Sequence, residues 1–551
     1  MKQITIDNRI LSFNNGDTIL NIAQKNNIEI PTMCYFKEIK PFTSCMLCLV
    51  QDMAAKKLLP ACSSLAQENM VITTNSEAVT QARKKALELL LSEHIGECEA
   101  LCHLACPLQL NIPLLLQDVK NKRFENAMNV IRQSLPFPRT IAEICPAYCE
   151  KACRRNKHDT SVAIPFIVRF VTEKFSAKDQ LFHLNHMKKN TGKVAIVGAG
   201  LSGLATAYYL LINGIACTMF EKNEKTGGSI INYFDKQKQI VFKEEINIIT
   251  ELGADIRTGE ILGESVSLTQ LYTDYDIVII ATGKADEEFH NKTGLTLSEK
   301  SNIRDKQIKQ TTVNNVFVIS DAALTNTSDP DQIPAVSVPG FNAKAVRTVA
   351  SAKKLCQIII QYLKKQKISV SARSFNSKLG RLNNEEIKEM LKNAAPLPRI
   401  NTNNSSQIDN NSICVEADRC LQCSCLEPAD CKLRYYAEQY KAKQNAFPAA
   451  DRKPLERILS TTAGEQDNNK ILVYEPGKCI KCGICVFISR NANESFGLSF
   501  YKRGYDLRIQ VPFSKPINIA LTRSAMTCVA NCPTGALRYM DYRQNGKLQE
   551  K

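Results

Sequence analysis

Five tightly spaced groups of cysteines set the terms on which this chain can fold. They are Cys34/Cys45/Cys48/Cys62, Cys98/Cys102/Cys106, Cys145/Cys149/Cys153, Cys420/Cys423/Cys425/Cys431 and Cys479/Cys482/Cys485, with Cys532 completing the last. Thiolate sulfur is the ligand that holds iron–sulfur clusters, and such spacings point to bound metal. A fold that must gather thiols in fours is constrained by ligation as well as by apolar burial. The series reads as an electron-transfer chain.

Its setting follows from composition. With 551 residues and 44% hydrophobic content, the chain can bury several cores, and three to five domains are expected. The opening MKQITIDNRI carries no apolar run of a signal peptide, and no stretch approaches the length of a membrane span. The expectation is a cytoplasmic protein without direct membrane insertion. There thiols stay reduced, so 22 cysteines fit metal ligation better than disulfides. The formal charge of +16 counts every cysteine as neutral, and metal-bound thiolates lower it. Lys and Arg are dispersed, with no nucleic-acid motif, and Arg154 and Arg155 directly follow Cys153. No nucleic-acid partner is expected.

The segment ITIDNRILSFNNGDTIL alternates apolar and polar residues around Asn-Asn-Gly, which predicts a hairpin, and ILNIAQKN predicts a short helix. Cys34, Cys45, Cys48 and Cys62 follow, the first gap wider than in plant-type ferredoxins. With IPTMCY and TSCMLCLV, residues 1–80 resemble the N-terminal domain of complex I's large iron–sulfur subunit and of iron hydrogenases. That resemblance implies an α+β ferredoxin (β-grasp) whose four cysteines bind one 2Fe-2S cluster.

Residues 81–97 carry helical apolar periodicity. The runs CEALCHLACPLQLNIP and ICPAYCEKACRR resemble the N-terminal domain of glutamate synthase small subunits and dihydropyrimidine dehydrogenases. The resemblance implies an α-helical domain, residues 81–190, with two 4Fe-4S clusters shared between the runs. By position, Cys98, Cys102 and Cys153 hold one cluster, and Cys106, Cys145 and Cys149 the other. His94, near the place of the family's first cysteine, is the fourth-ligand candidate for the first; complex I's large subunit uses a histidine in a similar run. For the second, the family's Gln or Glu is matched by Val168 in VAIPFIVRF, which cannot ligate. The nuclearity of that cluster is left open.

In KVAIVGAGLSG an apolar strand runs into Gly198, Gly200 and Gly203, the dinucleotide fingerprint, and the next strand ends at Glu221, placed to accept ribose hydroxyls. Gly227-Gly228, YDIVIIATG ending at Gly283, and NVFVISDAA with Asp321 complete a set that resembles the FAD domain of the flavoprotein disulfide reductases. The resemblance implies a Rossmann-like α/β FAD domain over residues 191–365, with Gly228 and Gly283 lining it and Asp321 near the ribityl-phosphate; Ser320 replaces the usual glycine before it. Relatives insert a nicotinamide-binding domain between the ATG segment and that Asp. Here 37 residues separate Gly283 from Asp321, too few for a nucleotide domain of about 100 residues.

Residues 366–412, rich in Ser, Asn and Lys, read as a linker with one short helix near EEIKEMLKNA. The module 413–450 carries Cys420, Cys423, Cys425 and Cys431, a compact set that serves a 4Fe-4S cluster or structural zinc; spacing does not decide. The last module, 451–551, is a small α+β ferredoxin-like domain: Cys479, Cys482, Cys485 and Cys532 fit one 4Fe-4S cluster, with Ser489 where two-cluster ferredoxins continue the run. Cys528, Cys217, Cys356 and Cys414 lie outside any site.

The chain therefore reads as an iron–sulfur flavoprotein oxidoreductase with FAD, one 2Fe-2S and two to four 4Fe-4S clusters. The favoured role is an electron-transfer subunit of a larger redox complex, partnered by other subunits or a redox protein. A self-sufficient NAD(P)H-dependent enzyme of the glutamate synthase small-subunit type, and a cluster-based sensor or scaffold, are the alternatives. No acid–base or nucleophile constellation marks a catalytic residue.

Overall fold

The computed structural model describes residues 2–175, 192–283, 308–319, 341–366, 374–403, 408–425, 430–448, 454–461 and 470–541. Two compact units emerge. The first contains Met1–Ala100, Arg373–Ala394 and Leu421–Lys551; the second contains Leu101–Ala372 and Ala395–Cys420. The chain thus leaves and re-enters each unit.

In the first unit, strands Lys2–Ile6 and Arg9–Phe13 pair antiparallel from Lys2↔Phe13 to Ile6↔Arg9. The hairpin turns at Asp7-Asn8, both at positive φ (46° and 65°), the two-residue geometry that matches strand twist. The Asn-Asn-Gly expected to form this turn instead follows the second strand, with Gly16 at φ +89°. The shorter loop wins because it keeps Ile4, Ile6, Leu11 and Phe13 on the buried face. Strand Val71–Thr73 joins Lys2–Ile6 in parallel and Leu49–Asp52 antiparallel, closing a five-stranded sheet with Lys57–Pro60 at its edge. Helix Ile19–Lys25, capped by Thr18, packs Ile19, Leu20, Ile22 and Ala23 into that core.

Helix Glu77–Ser92 follows, and buried Arg83 ties it down with two hydrogen bonds to the Leu49 carbonyl, 3.1 and 2.7 Å, and one to the Tyr440 hydroxyl, 3.0 Å. The stretch read as a linker carries helix Asn384–Leu391 with a full capping box from Asn383 and Glu386. At the C-terminal end, strands Ile458–Thr461, Lys470–Tyr474 and Leu537–Asp541 form an antiparallel sheet, joined by helices Ile484–Asn491 and Ala525–Ala530.

In the second unit, a six-stranded sheet runs in the order Ile308–Gln310, Val316–Ile319, Ile277–Ile280, Lys193–Val197, Ala216–Glu221, Asp255–Thr258, parallel except for the first strand. Four of these strands are apolar along nearly their whole length, as a sheet covered on both faces requires. Helices from residues 101–174 share one continuous core with this sheet. Tyr208 and Tyr209, on helix Leu201–Ile212, donate hydrogen bonds to the Arg132 and Ser134 carbonyls, at 2.8 and 2.6 Å. Glu245 accepts from the first amides of helix Pro138–Ile144, Arg139 and Thr140, at 2.7 and 3.1 Å. Among the described residues no helix is long and apolar enough to cross a membrane.

Candidate functional site

The first thiol group forms on loops at one end of the five-stranded sheet. Cys34, Cys45, Cys48 and Cys62 are all buried. The Cys45 amide donates to Cys34 Sγ at 3.5 Å, and Thr43 Oγ1 lies 3.6 Å from Cys62 Sγ. A hydrogen bond from the Cys45 thiol holds Cys34 down at about 6, and the Cys48 thiol holds Cys62 at about 7, while Cys45 and Cys48 are pushed up in return. Stabilised sulfur anions in a buried loop suit metal ligation.

The last group is assembled by the two helices of the C-terminal module. Cys479, Cys482, Cys485, Cys528 and Cys532 line one apolar cavity with Tyr474, Leu498, Ile509 and Leu537. Burial pushes the Cys479 thiol up to about 11 and Cys528 to about 12. Ser489 is fully committed locally: its hydroxyl donates to the Val486 carbonyl and accepts from the Leu498 amide, both at 3.0 Å. Cys528 donates instead to the Cys485 carbonyl at 3.7 Å. Beside Cys479, the buried Glu475 carboxylate is surrounded by Lys478 at 2.6 Å, Arg457 at 3.1 Å and Arg538, and these cations hold it far below the usual carboxylate range despite burial. Three cations on one carboxylate leave a positive surplus beside this group of thiols.

This first group and the last one are neighbours. Met33, Cys34, Cys45 and Leu47 share a core with Ile480, Cys482, Ile484 and Ile488. A negative charge on Cys34 raises Cys482, whose main cause of elevation is burial. Phe42, in the Cys34–Cys45 loop, stacks on Phe500 at 5.2 Å and meets Phe487 of helix Ile484–Asn491 at 6.2 Å.

In the second unit, Cys106, Cys145 and Cys149 come together: burial and then the charge on Cys106 raise Cys149, and Cys106 also raises Cys145. Val168, on helix Ile164–Lys174, is buried in the same core. Lys353 reaches towards this group, donating to the Leu108 carbonyl at 2.8 Å. Cys102 and Cys153 are half-buried in this unit, and so is Cys420. Arg155, two residues past Cys153, donates to the carbonyl of Arg419, just before Cys420. His94 belongs to the first unit, where burial and then the Lys478 charge push it down to about 4; its Nδ1 has no hydrogen-bond partner among the described residues. Cys98, Cys423, Cys425 and Cys431 are in that unit too. Cys217, Cys356 and Cys414 lie apart, and Cys414 donates to the Val119 carbonyl at 3.0 Å.

Around the glycine fingerprint the backbone is packed too closely for side chains. A Cβ on Gly198 (φ +106°) would lie 2.6 Å from the Ala281 carbonyl oxygen, and one on Gly203 would lie 2.0 Å from that of Gly198. Gly200 pairs with Gly227, and a Cβ on Gly228 would meet Gly200 Cα at 2.8 Å. Glu221 accepts from the Ala199 amide at 2.7 Å and from Asn223 at 3.0 and 2.8 Å, which fixes the loop and leaves lone pairs for a ribose. Gly283 takes φ +88° just past the strand Ile277–Ile280. Asp321 lies outside the described residues.

Among the described residues no group of three or more His, Cys, Asp or Glu side chains stands ready-made around a metal position. By donor chemistry the thiol groups fit iron–sulfur clusters, and the glycine cradle fits a dinucleotide.

Comparison with known proteins agrees. Family models match a 2Fe-2S iron-sulfur cluster binding domain over residues 1–77, the dihydropyrimidine dehydrogenase domain II, 4Fe-4S cluster, over 68–180, and pyridine nucleotide-disulphide oxidoreductase over 169–355. Its domains are those of an iron–sulfur flavoprotein oxidoreductase. The chain is 33% identical over 193 residues to NADPH-Fe(3+) oxidoreductase subunit beta of Geobacter sulfurreducens, covering 34% of this chain and 29% of that protein. It is 29% identical over 187 residues to the glutamate synthase [NADPH] small chain of Escherichia coli, covering 33% and 39%. With an NADH-quinone oxidoreductase component of Rhizobium meliloti it shares 39% identity over 98 residues, 18% of this chain and 12% of that one. In each case the chain spans less than half of the relative's length.

Three features of these sites have no signature in the sequence: the Ser377 contact with Cys98, the cations around Glu475, and the core shared by Cys34 and Cys482. Ser377 stands in a stretch with linker composition, so nothing local marks it.

Proposed function

We propose that this chain is an electron-transfer subunit of a larger oxidoreductase, passing electrons between FAD and iron–sulfur clusters. FAD, when bound, supplies the conversion between two-electron and one-electron chemistry. Gly198, Gly200, Gly203, Gly228 and Gly283 would cradle it, with Glu221 on the ribose and Asp321 near the ribityl-phosphate. The observation that carries the reading is the core shared by the glycine-cradle sheet and the Cys106/Cys145/Cys149 group. Tyr208, Tyr209 and Lys353 tie the two rigidly, and fixed separation is what one-electron transfer demands of a protein. In the first unit, the shared core of Cys34 and Cys482 supports a second pair of adjacent stations.

The short segment between Gly283 and Asp321 supports a chain that takes its electrons from a partner subunit. A self-sufficient NAD(P)H enzyme is the second reading, favoured by the pyridine nucleotide-disulphide oxidoreductase match. Anaerobically purified protein, assayed for flavin, iron and zinc, separates them. The leading reading expects one FAD and about 14–18 iron atoms per chain, from its cluster types. It also expects no bleaching of the flavin by NADH or NADPH, and full bleaching by dithionite. Prompt bleaching by NADPH would sink it.

A further inference from the structure

Cys98 lies in the N-terminal cysteine run, and Cys425 and Cys431 lie far along the chain, yet all three belong to the first unit. The backbone carbonyl of Glu97 accepts from the Cys425 amide at 2.8 Å, which sets the residue before Cys98 directly against Cys425. Glu99, the residue after Cys98, is ion-paired with Arg434, whose own amide donates to Cys431 Sγ at 3.5 Å. Cys98 is therefore bracketed on both sides by the segment that carries the other two thiols.

We propose that Cys98, Cys425 and Cys431 are three protein ligands of one iron–sulfur cluster. The site takes Cys98 away from Cys102 and Cys153, and takes Cys425 and Cys431 away from Cys420.

The sulfurs are already dressed as cluster ligands are. Ser377, buried in the same unit, gives its amide to Cys98 Sγ at 3.4 Å and brings its hydroxyl to 3.2 Å. That hydroxyl also reaches the Gly96 carbonyl at 2.9 Å, so Ser377 pins the loop as well as the sulfur. Hydrogen bonds to ligand sulfur stabilise the thiolate and tune a cluster's potential. Arg434 joins the two segments: its guanidinium pairs with Glu99 beside Cys98, and its amide points at Cys431 Sγ. Unlinked thiols held in this proximity are drawn in when metal binds, because binding free energy supplies the final ordering.

The inference rests on the chain binding iron–sulfur clusters at all, so the test is designed to separate the two. The full chain is purified anaerobically as wild type and as Cys98→Ser, Cys425→Ser, Cys431→Ser, Cys102→Ser and Cys420→Ser. Each is assayed for iron and sulfide per FAD and by low-temperature EPR after dithionite reduction. The first three variants are expected to lose the same EPR signal and the same iron, about three to four atoms. A Cys98→Ser/Cys425→Ser double variant is expected to lose no more than either single one. If the signal lost in Cys98→Ser is the one lost in Cys102→Ser and persists in Cys425→Ser, the grouping is wrong. Loss of zinc without iron in Cys425→Ser overturns the cluster's identity. Wild-type protein without iron sinks the functional reading itself.

A measurement on wild-type protein covers variants that misfold. During stepwise oxidative stripping, iodoacetamide should label Cys98, Cys425 and Cys431 at one common rate. A separate rate for Cys98 overturns the proposal.

Discussion

The Cys34–Cys62 loop and the Cys106/Cys145/Cys149 group offer the same donor atom, sulfur, and reach it by opposite routes. The first is continuous in sequence, and its four thiols meet on loops of one small sheet, bonded to each other and to backbone amides. The second is assembled from two helical runs, and its three thiols lie in a large core that also contains Val168. A contiguous loop carries its complete ligand set with it. A composite site instead depends on helices packed together from separate stretches of the chain.

The most severe way to break the contrast is Cys45→Ser. It should abolish the 2Fe-2S centre, about two iron atoms and one EPR signal per chain. The signals of the second unit should remain, as iron analysis and EPR would show; their joint loss would mean the two groups are not separate.

Flavin binding in the second unit can be separated from its folding at Gly200. A Cβ there would meet only Gly228 Cα, at 3.9 Å, and the backbone sits at φ −80°, which any residue tolerates. Gly200→Ala should therefore fold, yet crowd the pyrophosphate and weaken FAD retention at least tenfold (about 1.4 kcal/mol). Fluorescence titration of the stripped protein measures it, with circular dichroism as the folding check.

The helix that bears Val168 is held at its start by a buried charge network. Glu416 accepts from the Ala163 amide at 2.8 Å and pairs with fully buried Arg419 at 2.9 Å, while Arg419 also holds Asp159 and the Thr160 and Ser161 carbonyls. Arg419→Leu strands a buried carboxylate and should cost about 3–5 kcal/mol. Denaturant unfolding of the second unit, followed by flavin release, reads this out; a loss under about 1 kcal/mol would show the network to be dispensable.

The gentlest change tests the contrast directly. Val168→Gln returns an amide oxygen to the fourth position and should raise iron by about one atom per chain, at a packing cost of about 1–3 kcal/mol. Mössbauer spectra would show the gain as a cuboidal four-iron centre. An unchanged iron count would mean that Val168 does not face the cluster.

Much was legible in the chain itself. The cysteine spacings and the Gly198/Gly200/Gly203 fingerprint are local patterns, because a tight turn, a short ligand loop and a strand-to-helix transition are encoded within a few residues. Even there, the choice of Asp7-Asn8 over Asn-Asn-Gly for the first hairpin depended on which register buried Ile4 and Leu11.

Thiol groups suited to iron–sulfur clusters and a dinucleotide cradle are already written in the order of the residues. Which thiols are neighbours, Cys34 with Cys482 and Cys98 with the segment bearing Cys425 and Cys431, is visible only once the chain is folded. The physical reason is that ligation and electron transfer act through space over a few ångströms. Which distant segments come that close is fixed by how the cores pack and by ties such as Arg434–Glu99 and Ser377–Cys98, and spacing along the chain does not record it.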